Sequence, residues 1–378
     1  MGYKTRTGLR ILPESGPHGN AQTPGSGRLC PGRPRGTPRR VRTPSELVSA
    51  LLPVRDAAAT LPAALASLQV QSRPLDQIVV VDDGSSDSTG TVARVAASRD
   101  RRIEVLTLPP EGLVSALNAG LARCSGDWIL RMDADDLSHR RRLEGQLEIA
   151  RQNPDLDVIG CQVRIFPRRQ RLGGYRRYED WLNGLLTHQE MVREIFVESP
   201  LAHPSVLLRR TTLAAAGGWE DRGWPEDYDL WLRLVGQGAH LGKAPEPLFL
   251  WRDHPGRLSR RDPRYRRLAF LQAKAHHLAR GFLAGQPRLI IWGAGRVGGQ
   301  LARLLEAEGR TVEVFVDVDP ARTGGCRRGR PVIAPEEVPR YRDLPILAAV
   351  GSWGARQEIR ARLRALGLHE GRDFIAVA

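Results

Sequence analysis

The fold of this chain is decided by the stretch Trp128-Ile129-Leu130-Arg131-Met132-Asp133-Ala134-Asp135-Asp136. Residues 128–132 form a short, mostly apolar run after the turn-forming residues 125–127, and this pattern predicts a buried strand. Three carboxylates stand at its carboxyl end, the edge where ligands bind in open α/β sheets. Because crowded carboxylates repel one another, the sequence predicts a divalent cation here, Mg²⁺ or Mn²⁺. The alternative is an acidic turn before the next helix, with Ser138 as its N-cap.

Upstream of this stretch, apolar runs of strand length alternate with amphipathic segments. Strands are expected at 48–54, 77–81 and 103–106, and helices after Thr60, after Ser88 and over 112–122. This alternation predicts an α/β fold with a doubly wound, mostly parallel sheet. The second strand also ends in two acids, Asp82 and Asp83. Since the carboxyl ends of parallel strands meet at one edge, the two acidic strand ends can form one nucleotide site.

After residue 157 the alternation stops. A strand over 158–166 is expected to be followed by an arginine- and glycine-rich loop over 167–177, and a helix over about 187–197 to be capped by Thr187.

The first 45 residues have a different composition from the rest. They contain eight Gly, seven Pro, nine basic residues and one acid, so they hold +8 of the net charge of +15. Such a segment buries too little apolar surface to offset its ordering entropy, and we predict a disordered basic arm over 1–45. It is either a membrane-tethering arm or the product of a start codon assigned too early.

Charge and cysteine usage exclude several classes of protein. The 54 arginines against three lysines are typical of a GC-rich genome, and they are not interleaved with aromatic residues, so no nucleic-acid partner is expected. The positive charge of the chain could equally serve an anionic membrane surface or a diphosphate ligand. Four scattered cysteines make neither a zinc site nor a disulfide framework, and no apolar run is long enough to span a bilayer. We therefore expect a cytoplasmic protein, with peripheral contact at the inner face of the membrane as an option.

The last part of the chain carries a second pattern. A strand over 289–292 is followed by Gly293-Ala294-Gly295-Arg296-Val297-Gly298, and a strand over 311–316 ends in Asp317. This is a dinucleotide fingerprint, with Gly293, Gly295, Gly298 and Asp317 as the expected nucleotide-site residues. The segment is only about half of a full dinucleotide fold, which takes two such halves. We predict a Rossmann-like domain over 287–378 after a domain over 46–286. The second domain is either a structural or nucleotide-sensing appendage or, as the less favoured alternative, an NAD(P) site.

An ordered set of motifs between residues 48 and 260 resembles the nucleotide-sugar glycosyltransferases of family 2, which have the GT-A fold. The set comprises Leu52-Pro53-Val54-Arg55-Asp56, Val81-Asp82-Asp83-Gly84-Ser85-Ser86-Asp87-Ser88, Ala116-Leu117-Asn118, Arg131-Met132-Asp133-Ala134-Asp135-Asp136, His203-Pro204-Ser205, Glu226-Asp227 and Arg252-Asp253-His254. Each piece alone is a weak signal. The pieces occur in the family's order and spacing over more than half of the chain. Arg55, where the family often has an aromatic residue, is a departure from the pattern.

The resemblance implies a role for each matching residue. A nucleotide-sugar site would be formed by Pro53, Val54, Asp56, Asp82, Asp83, Asn118, Asp133 and Ala134. Asp135 and His254 would bind the metal, with an exposed loop histidine as the alternative for His254. Asp227 would be the general base, with Glu226 beside it, and the alternative for this pair is a helix N-terminus that favours acids.

The implied reaction is transfer of one sugar from a UDP-sugar or another nucleotide-sugar to a hydroxyl, in a single displacement that inverts the anomeric centre. The acceptor would be a glycan, a lipid-linked molecule or a small molecule, in cell-surface polysaccharide biosynthesis. No Gln-x-x-Arg-Trp follows residues 226–227, which argues against a processive polymerase. Two other functions stay open: an NAD-dependent oxidoreductase or epimerase centred on residues 293–317, and a non-catalytic nucleotide-sugar sensor.

Overall fold

A computed structural model describes residues 46–167, 173–352 and 354–378. The segment 1–45, predicted to be a disordered arm, lies outside these residues. Within them the strands are β1 (Val48–Val54), β2 (Gln77–Asp83), β3 (Ile103–Leu108), β4 (Trp128–Arg131), β5 (Leu137–Ser138), β6 (Leu156–Phe166), β7 (Leu207–Arg209), β8 (His240–Arg252), β9 (Arg288–Trp292), β10 (Thr311–Val316), β11 (Cys326–Arg327), β12 (Arg330–Ile333), β13 (Ile346–Ala348) and β14 (Phe374–Ala376).

The α-helices of the same described residues are α1 (Leu61–Gln69), α2 (Thr89–Arg99), α3 (Leu113–Arg123), α4 (Arg142–Gln152), α5 (Gly173–Gly184), α6 (His188–Glu194), α7 (Arg210–Ala215), α8 (Glu226–Gly236), α9 (Leu258–Arg261), α10 (Arg267–Arg280), α11 (Arg296–Ala307) and α12 (Ala355–Ala365). Short 3-10 helices cover His203–Ser205, Pro263–Tyr265 and Pro335–Tyr341. None of the described helices is both long and apolar enough to cross a bilayer.

The first eight strands form one sheet in the order β3-β2-β1-β4-β7-β6-β8-β5. Strands β3, β2, β1 and β4 are parallel neighbours, and β6 is parallel to β8. The remaining three pairs, β4–β7, β7–β6 and β8–β5, are antiparallel. The predicted doubly wound, mostly parallel sheet is confirmed. Its antiparallel half begins where the βα alternation of the sequence stops.

Strand β1 lies at the centre of the parallel half and every one of its residues is buried. Its side chains alternate between two cores: Leu52 packs with α1 on one face, and Leu51 packs against α3 on the other. Helix α3 can approach the sheet closely because Gly120 faces it; a Cβ there would stand 2.3 Å from Leu51 Cδ1. Full burial of each such leucine contributes about 1.5–3 kcal/mol.

The strand register brings the acidic ends together. Val54 of β1 pairs with Asp82 of β2, and Leu51 of β1 pairs with Arg131 of β4. Since β1 lies between β2 and β4 and all three run in parallel, the acids after β2 and after β4 lie on the same edge of the sheet, as the sequence predicted.

The last six strands form a second sheet in the order β11-β12-β10-β9-β13-β14, parallel except for the β11–β12 pair. Residues 46–378 nevertheless form one compact unit. Lys274 of α10 donates to Val197 O at 2.8 Å and to Val377 O at 3.0 Å, and Glu194 accepts from Arg360 at 2.8 Å. These buried polar contacts tie the second sheet to the first. The domain boundary between residues 286 and 287 stays a prediction.

One local prediction and one detail of the alternative for the acidic stretch were wrong. Ser138 is not the cap of the next helix: it lies in β5, and α4 starts four residues later. The arginine-rich loop expected over 167–177 is helical from residue 173 onward, because α5 places Tyr178 and Trp181 against the core of the first sheet. Residues 168–172 of that loop lie outside the described residues. By contrast, Thr187 caps α6 as predicted, in a capping box with Glu190.

Candidate active site

Three carboxylates converge in the turn after β4. Ligand atoms of Asp133, Asp135 and Asp136 all lie within 4.8 Å of one another. Asp136 is buried, and its Oδ1 accepts a hydrogen bond from Arg252 N at 2.6 Å. Its Oδ2 is also buried and has no hydrogen-bond partner among the described residues. A buried, unsatisfied carboxylate oxygen is costly, so this atom marks a place where a cation would be favourable. The sequence places Asp136 among the three acids that predict a cation, whereas the family resemblance implies a metal-binding role for Asp135 and not for Asp136.

The carboxylates of this cluster differ in how far neighbouring positive charges compensate them. Burial raises the pKa of Asp136 well above its ordinary value, and the neighbouring Asp133 and Asp135 raise it further. Burial would also raise the pKa of Asp133, but the charge and hydrogen bond of Arg131 outweigh it, and the pKa of Asp133 lies below its ordinary value. Arg131 therefore forms an ion pair with Asp133, whereas Asp136 forms no ion pair with any described residue.

The predicted metal ligands Asp135 and His254 are neighbours in space. His254 Nε2 lies 2.8 Å from Asp135 Oδ2, although 119 residues separate them in the chain. Strand β8, which pairs with β5 and ends at Arg252, carries the histidine to this position. Carboxylate oxygens with one imidazole are donors that suit Mn²⁺ or Mg²⁺. Together with the unsatisfied oxygen of Asp136, this donor set fits a divalent cation.

Arg131 connects the acidic cluster to the rest of the site. It is a buried charged residue on β4, hydrogen-bonded to Asp133, and its Nε has no partner among the described residues. Its positive charge lowers the pKa of Asp133, of Asp227 and of His203. Direct contacts join the same segments: Arg131 N donates to Val206 O at 3.0 Å, directly after the short helix His203–Ser205, and His203 Nδ1 lies 3.5 Å from Glu226 Oε1 at the start of α8. The signal in the sequence was an arginine inside an apolar strand, and it was assigned no role.

Glu226 opens α8 and is held by a buried chain of hydrogen bonds. Its Oε2 accepts from Tyr265 Oη at 2.5 Å, and its Oε1 lies 3.5 Å from His203 Nδ1. His203 Nε2 accepts from Trp219 Nε1 at 2.9 Å, so the proton of the neutral imidazole is on Nδ1, facing Glu226. Burial and the charge of Arg131 lower the pKa of His203, consistent with a neutral ring. This chain of hydrogen bonds fixes the first turn of α8.

Asp227 differs from its neighbour. It is partly exposed, and its one hydrogen bond from the described residues comes from Tyr228 N at 2.7 Å. Burial and, second, the negative charge of Glu226 raise the pKa of Asp227 to about 8. A carboxylate with a raised pKa is a stronger base than an ordinary aspartate. The alternative, that the helix dipole favours acids at the N-terminus of α8, explains why Glu226 and Asp227 occur in this turn. It does not explain why Glu226 is held by hydrogen bonds while Asp227 has a raised pKa.

The predicted nucleotide-side acids lie at the end of β2. Both are buried. Asp83 accepts from Glu111 N at 2.8 Å and from Gly112 N at 2.9 Å, and Arg55 Nη1 lies 3.3 Å from its Oδ2. Asp82 accepts from Ser85 N at 3.0 Å. These contacts shape the loops around the edge of the sheet, and Arg55, a departure from the family pattern, is part of them.

The other predicted nucleotide-side residues are distributed around the same edge. Pro53 and Val54 are buried at the end of β1, and Asp56 follows with a φ of 47° and accepts from Ser86 N at 2.7 Å. Ala134 is buried between two acids of the cluster. Asn118 holds the main chain of Trp219, donating to its O at 2.8 Å and accepting from its N at 3.0 Å. Both polar groups of the Asn118 amide are therefore engaged within the protein.

The glycine turn of the second sheet is formed as predicted, but the carboxylate of Asp317 beside it already accepts hydrogen bonds from the protein. Asp317 accepts from Ala294 N at 2.9 Å, from Asp319 N at 3.0 Å and from Arg322 Nη1 at 3.1 Å. Gly298 is required for packing, since a Cβ there would stand 1.9 Å from Gly293 O. A cleft of about 380 Å³ lies beside the turn and includes Gly293, Gly295 and Asp317 in its wall. Whether it binds a nucleotide stays a prediction.

Comparison with known proteins identifies the family. The family described as "Glycosyl transferase family 2" matches residues 49–215. An uncharacterized glycosyltransferase of Haemophilus influenzae is 32% identical over 197 residues, which cover 52% of this chain and 71% of that protein. The chain belongs to glycosyltransferase family 2. It is therefore an enzyme, a glycosyltransferase, as the sequence predicted.

Two further relatives and one solved structure extend this result. The amylovoran biosynthesis glycosyltransferase AmsE of Erwinia amylovora is 31% identical over 49% of this chain and 67% of its own. A UDP-Gal:alpha-D-GlcNAc-diphosphoundecaprenol beta-1,3-galactosyltransferase of Escherichia coli is 24% identical over 66% of this chain and 88% of its own. S. aureus TarS 1–349 in complex with UDP-GlcNAc superposes with a TM-score of 0.51 and 17% identity, covering 68% of this chain and 71% of that one. The fold of this glycosyltransferase is GT-A, as predicted.

Proposed function

We propose that this glycosyltransferase transfers one sugar from a UDP-sugar to an acceptor hydroxyl, with inversion and with a divalent cation, in the biosynthesis of a bacterial surface polysaccharide. The observation that carries the proposal is a chain of contacts through Arg131. This buried arginine is hydrogen-bonded to Asp133 of the acidic cluster, and its backbone N donates to Val206 O at 3.0 Å, next to the short helix that holds His203. His203 Nδ1 lies 3.5 Å from Glu226 Oε1, beside Asp227. These contacts support a cation site and a carboxylate base at one edge of the sheet.

The acidic cluster supports the donor side of the proposal. Asp135 and His254 would hold the cation, with Asp136 offering its unsatisfied oxygen. When bound, the cation would neutralise the diphosphate of the leaving group as a Lewis acid. Asp133, whose carboxylate is held by Arg131, would face the ribose. The acids and loops at the ends of β1 and β2 would surround the base and keep water out.

Asp227 supports the acceptor side. Because its pKa is about 8 and its carboxylate is hydrogen-bonded only to Tyr228 N among the described residues, it can take the proton of an acceptor hydroxyl. The buried Glu226, fixed by Tyr265 and His203, holds the turn that presents Asp227. A single base in this position suits a single displacement, in which the hydroxyl oxygen attacks opposite the leaving group.

The relatives support the substrate class. The Escherichia coli relative is named for a UDP-Gal donor and a diphosphoundecaprenol acceptor, and AmsE is named for amylovoran biosynthesis. The TarS structure was solved with UDP-GlcNAc. These names favour a UDP-sugar donor and a glycan acceptor, including a lipid-linked one, for this chain.

The test is a donor panel. UDP-, GDP- and dTDP-sugars are supplied with Mn²⁺, with Mg²⁺ or with EDTA, and nucleotide release is followed without and with a lipid-diphosphate-linked sugar acceptor. We expect a UDP-sugar to react, EDTA to abolish the reaction and NMR of the product to show an inverted anomeric centre. Preference for another nucleotide, full activity in EDTA or retention of configuration would each contradict the corresponding part of the proposal.

A further inference from the structure

The segment 257–268 combines two properties that rarely coincide on a protein surface. It holds six arginines (Arg257, Arg260, Arg261, Arg264, Arg266 and Arg267) against one acid, Asp262, a net charge of +5 in twelve residues. It also exposes large apolar side chains, Leu258 at 42% and Leu268 at 41%. Tyr175 of α5, exposed at 41%, is joined to it by a hydrogen bond from Arg260 Nη2 at 2.5 Å. We call residues 257–268 with Tyr175 the basic strip.

The exposed apolar side chains are concentrated there. Of the seven large exposed apolar residues among those described, three belong to the basic strip, whereas Leu47, Val70, Val95 and Val318 lie at four separate places in the sequence. Single exposed apolar residues are ordinary, but several beside a block of positive charge are typical of an interaction surface. Intramolecular ion pairs leave part of this charge free: Arg266 and Arg267 form no side-chain hydrogen bond or ion pair with other described residues.

The strip is anchored to the candidate active site at both ends. At its start, Arg257 stacks on the Trp251 ring at 4.3 Å and bonds through its backbone N to His254 O at 3.2 Å. Near its end, Tyr265 donates to Glu226 at 2.5 Å. These contacts fix the orientation of the strip relative to the site. A partner bound by the strip therefore lies next to the place where acceptor and donor would meet.

We infer that the basic strip binds the surface of an anionic lipid bilayer. Arginines are attracted to the negative surface potential, while leucine and tyrosine side chains enter the boundary between headgroups and acyl chains. A soluble polyanion would use the charge but leave Leu258, Leu268 and Tyr175 in water, so the combination favours a bilayer. This contact is separate from donor chemistry and from the arm 1–45, and it would hold the enzyme where a lipid-linked acceptor is present.

The experiment is flotation of the full chain with vesicles of phosphatidylcholine alone or with 30% phosphatidylglycerol, in low and high salt. The strip variant carries Arg266→Glu, Arg267→Glu and Leu258→Ser. The matched control carries Arg99→Glu, Arg101→Glu and Val95→Ser, which make the same changes at exposed positions in and just after α2. Both variants keep the arm 1–45, so its charge is constant. Thermal melting checks that each variant is folded.

We expect salt-sensitive binding of the wild type to anionic vesicles. The strip variant should bind at least about tenfold more weakly, and the control should stay within about twofold of wild type. Equal binding of strip variant and wild type would overturn the inference, because another part of the chain would then carry the contact. Equal losses of vesicle binding in both variants would show that binding depends only on net charge, and this result would also overturn the inference. So would strip-dependent binding to soluble polyglutamate that matches or exceeds binding to vesicles.

Discussion

The two sheets of this glycosyltransferase each carry an aspartate at a carboxyl edge, but the environments of these acids are opposite. Asp317, at the edge of the second sheet, has two backbone N–H donors and the Arg322 guanidinium around it. In the part of the chain that the structure describes, Asp136 at the edge of the first sheet has one backbone donor on Oδ1, no donor on the buried Oδ2, and two more acids beside it. The charge at the second edge is balanced by the protein itself. The charge at the first is not, and an unbalanced charge is what a bound cation would correct.

The largest effect is expected from removing one acid at each edge and measuring activity. Asp135→Asn should lower sugar transfer about 1000-fold or more, because a Lewis acid contributes several kcal/mol to such a reaction. Asp317→Asn is the matched control and should stay within a few-fold of wild type. Initial rates of nucleotide release give both values. Equal losses in the two variants would remove the functional distinction between the edges.

A second effect concerns Asp227 and pH. In the wild type, the rate should rise with pH through a midpoint near the pKa of about 8, because the base must lose its proton. Asp227→Asn should be about 100-fold or more slower and should lack this rise, whereas Asp221→Asn, at an exposed residue, should keep both rate and profile. Because the folded pKa is raised, ionisation of Asp227 destabilises the fold as pH rises. The Asn variant should therefore melt no lower than wild type at pH 8.

A third experiment uses stability, where the two edges should respond with opposite signs. Without metal, Asp136→Asn should raise the free energy of unfolding, more at pH 8 than at pH 5, because the raised pKa of Asp136 means that its charged form costs stability. Asp317→Asn should lower it by about 1–2 kcal/mol, since an acceptor of buried N–H donors loses its charge. Urea unfolding measures both.

Adding Mn²⁺ sharpens the same comparison. At a concentration about 100 times its dissociation constant, a cation should stabilise wild type and Asp317→Asn by about 2.7 kcal/mol, and Asp136→Asn by clearly less. A decrease in stability on Asp136→Asn in EDTA, or an undiminished Mn²⁺ effect in that variant, would show that Asp136 is not the uncompensated charge.

The smallest effect is expected at Arg322. Its ion pair with Asp317 is on the surface, and the side chain of Arg322 is half exposed, so Arg322→Gln should leave the unfolding free energy close to that of wild type. Backbone donors would still satisfy Asp317. A large loss of stability would mean that the backbone donors alone do not stabilise the Asp317 carboxylate and that the Arg322 ion pair is needed.

Much of this architecture could be predicted from the chain, because the signals are local. Apolar strands alternating with amphipathic helices specify the parallel half of the first sheet, and acids placed directly after β2 and β4 must reach one edge once those strands are parallel neighbours of β1. The glycine turn after β9 was visible for the same reason. The loop expected at 173–177 was not, since α5 is helical through packing of its aromatic residues on the core rather than through a strong local signal.

By itself, then, the sequence determined on which strand ends the predicted site residues stand. Only the tertiary structure decided their partners: Asp135 with His254, Glu226 with Tyr265 and His203, Asn118 with Trp219, and Arg131 with Asp133. The physical reason is that hydrogen bonding and charge act over a few ångströms, whereas the residues concerned are up to 119 positions apart. Their distances depend on how all the intervening strands pack. For that reason the sequence places Asp136 in an acidic group, but only the fold shows that one of its carboxylate oxygens is buried without a hydrogen-bond partner among the described residues.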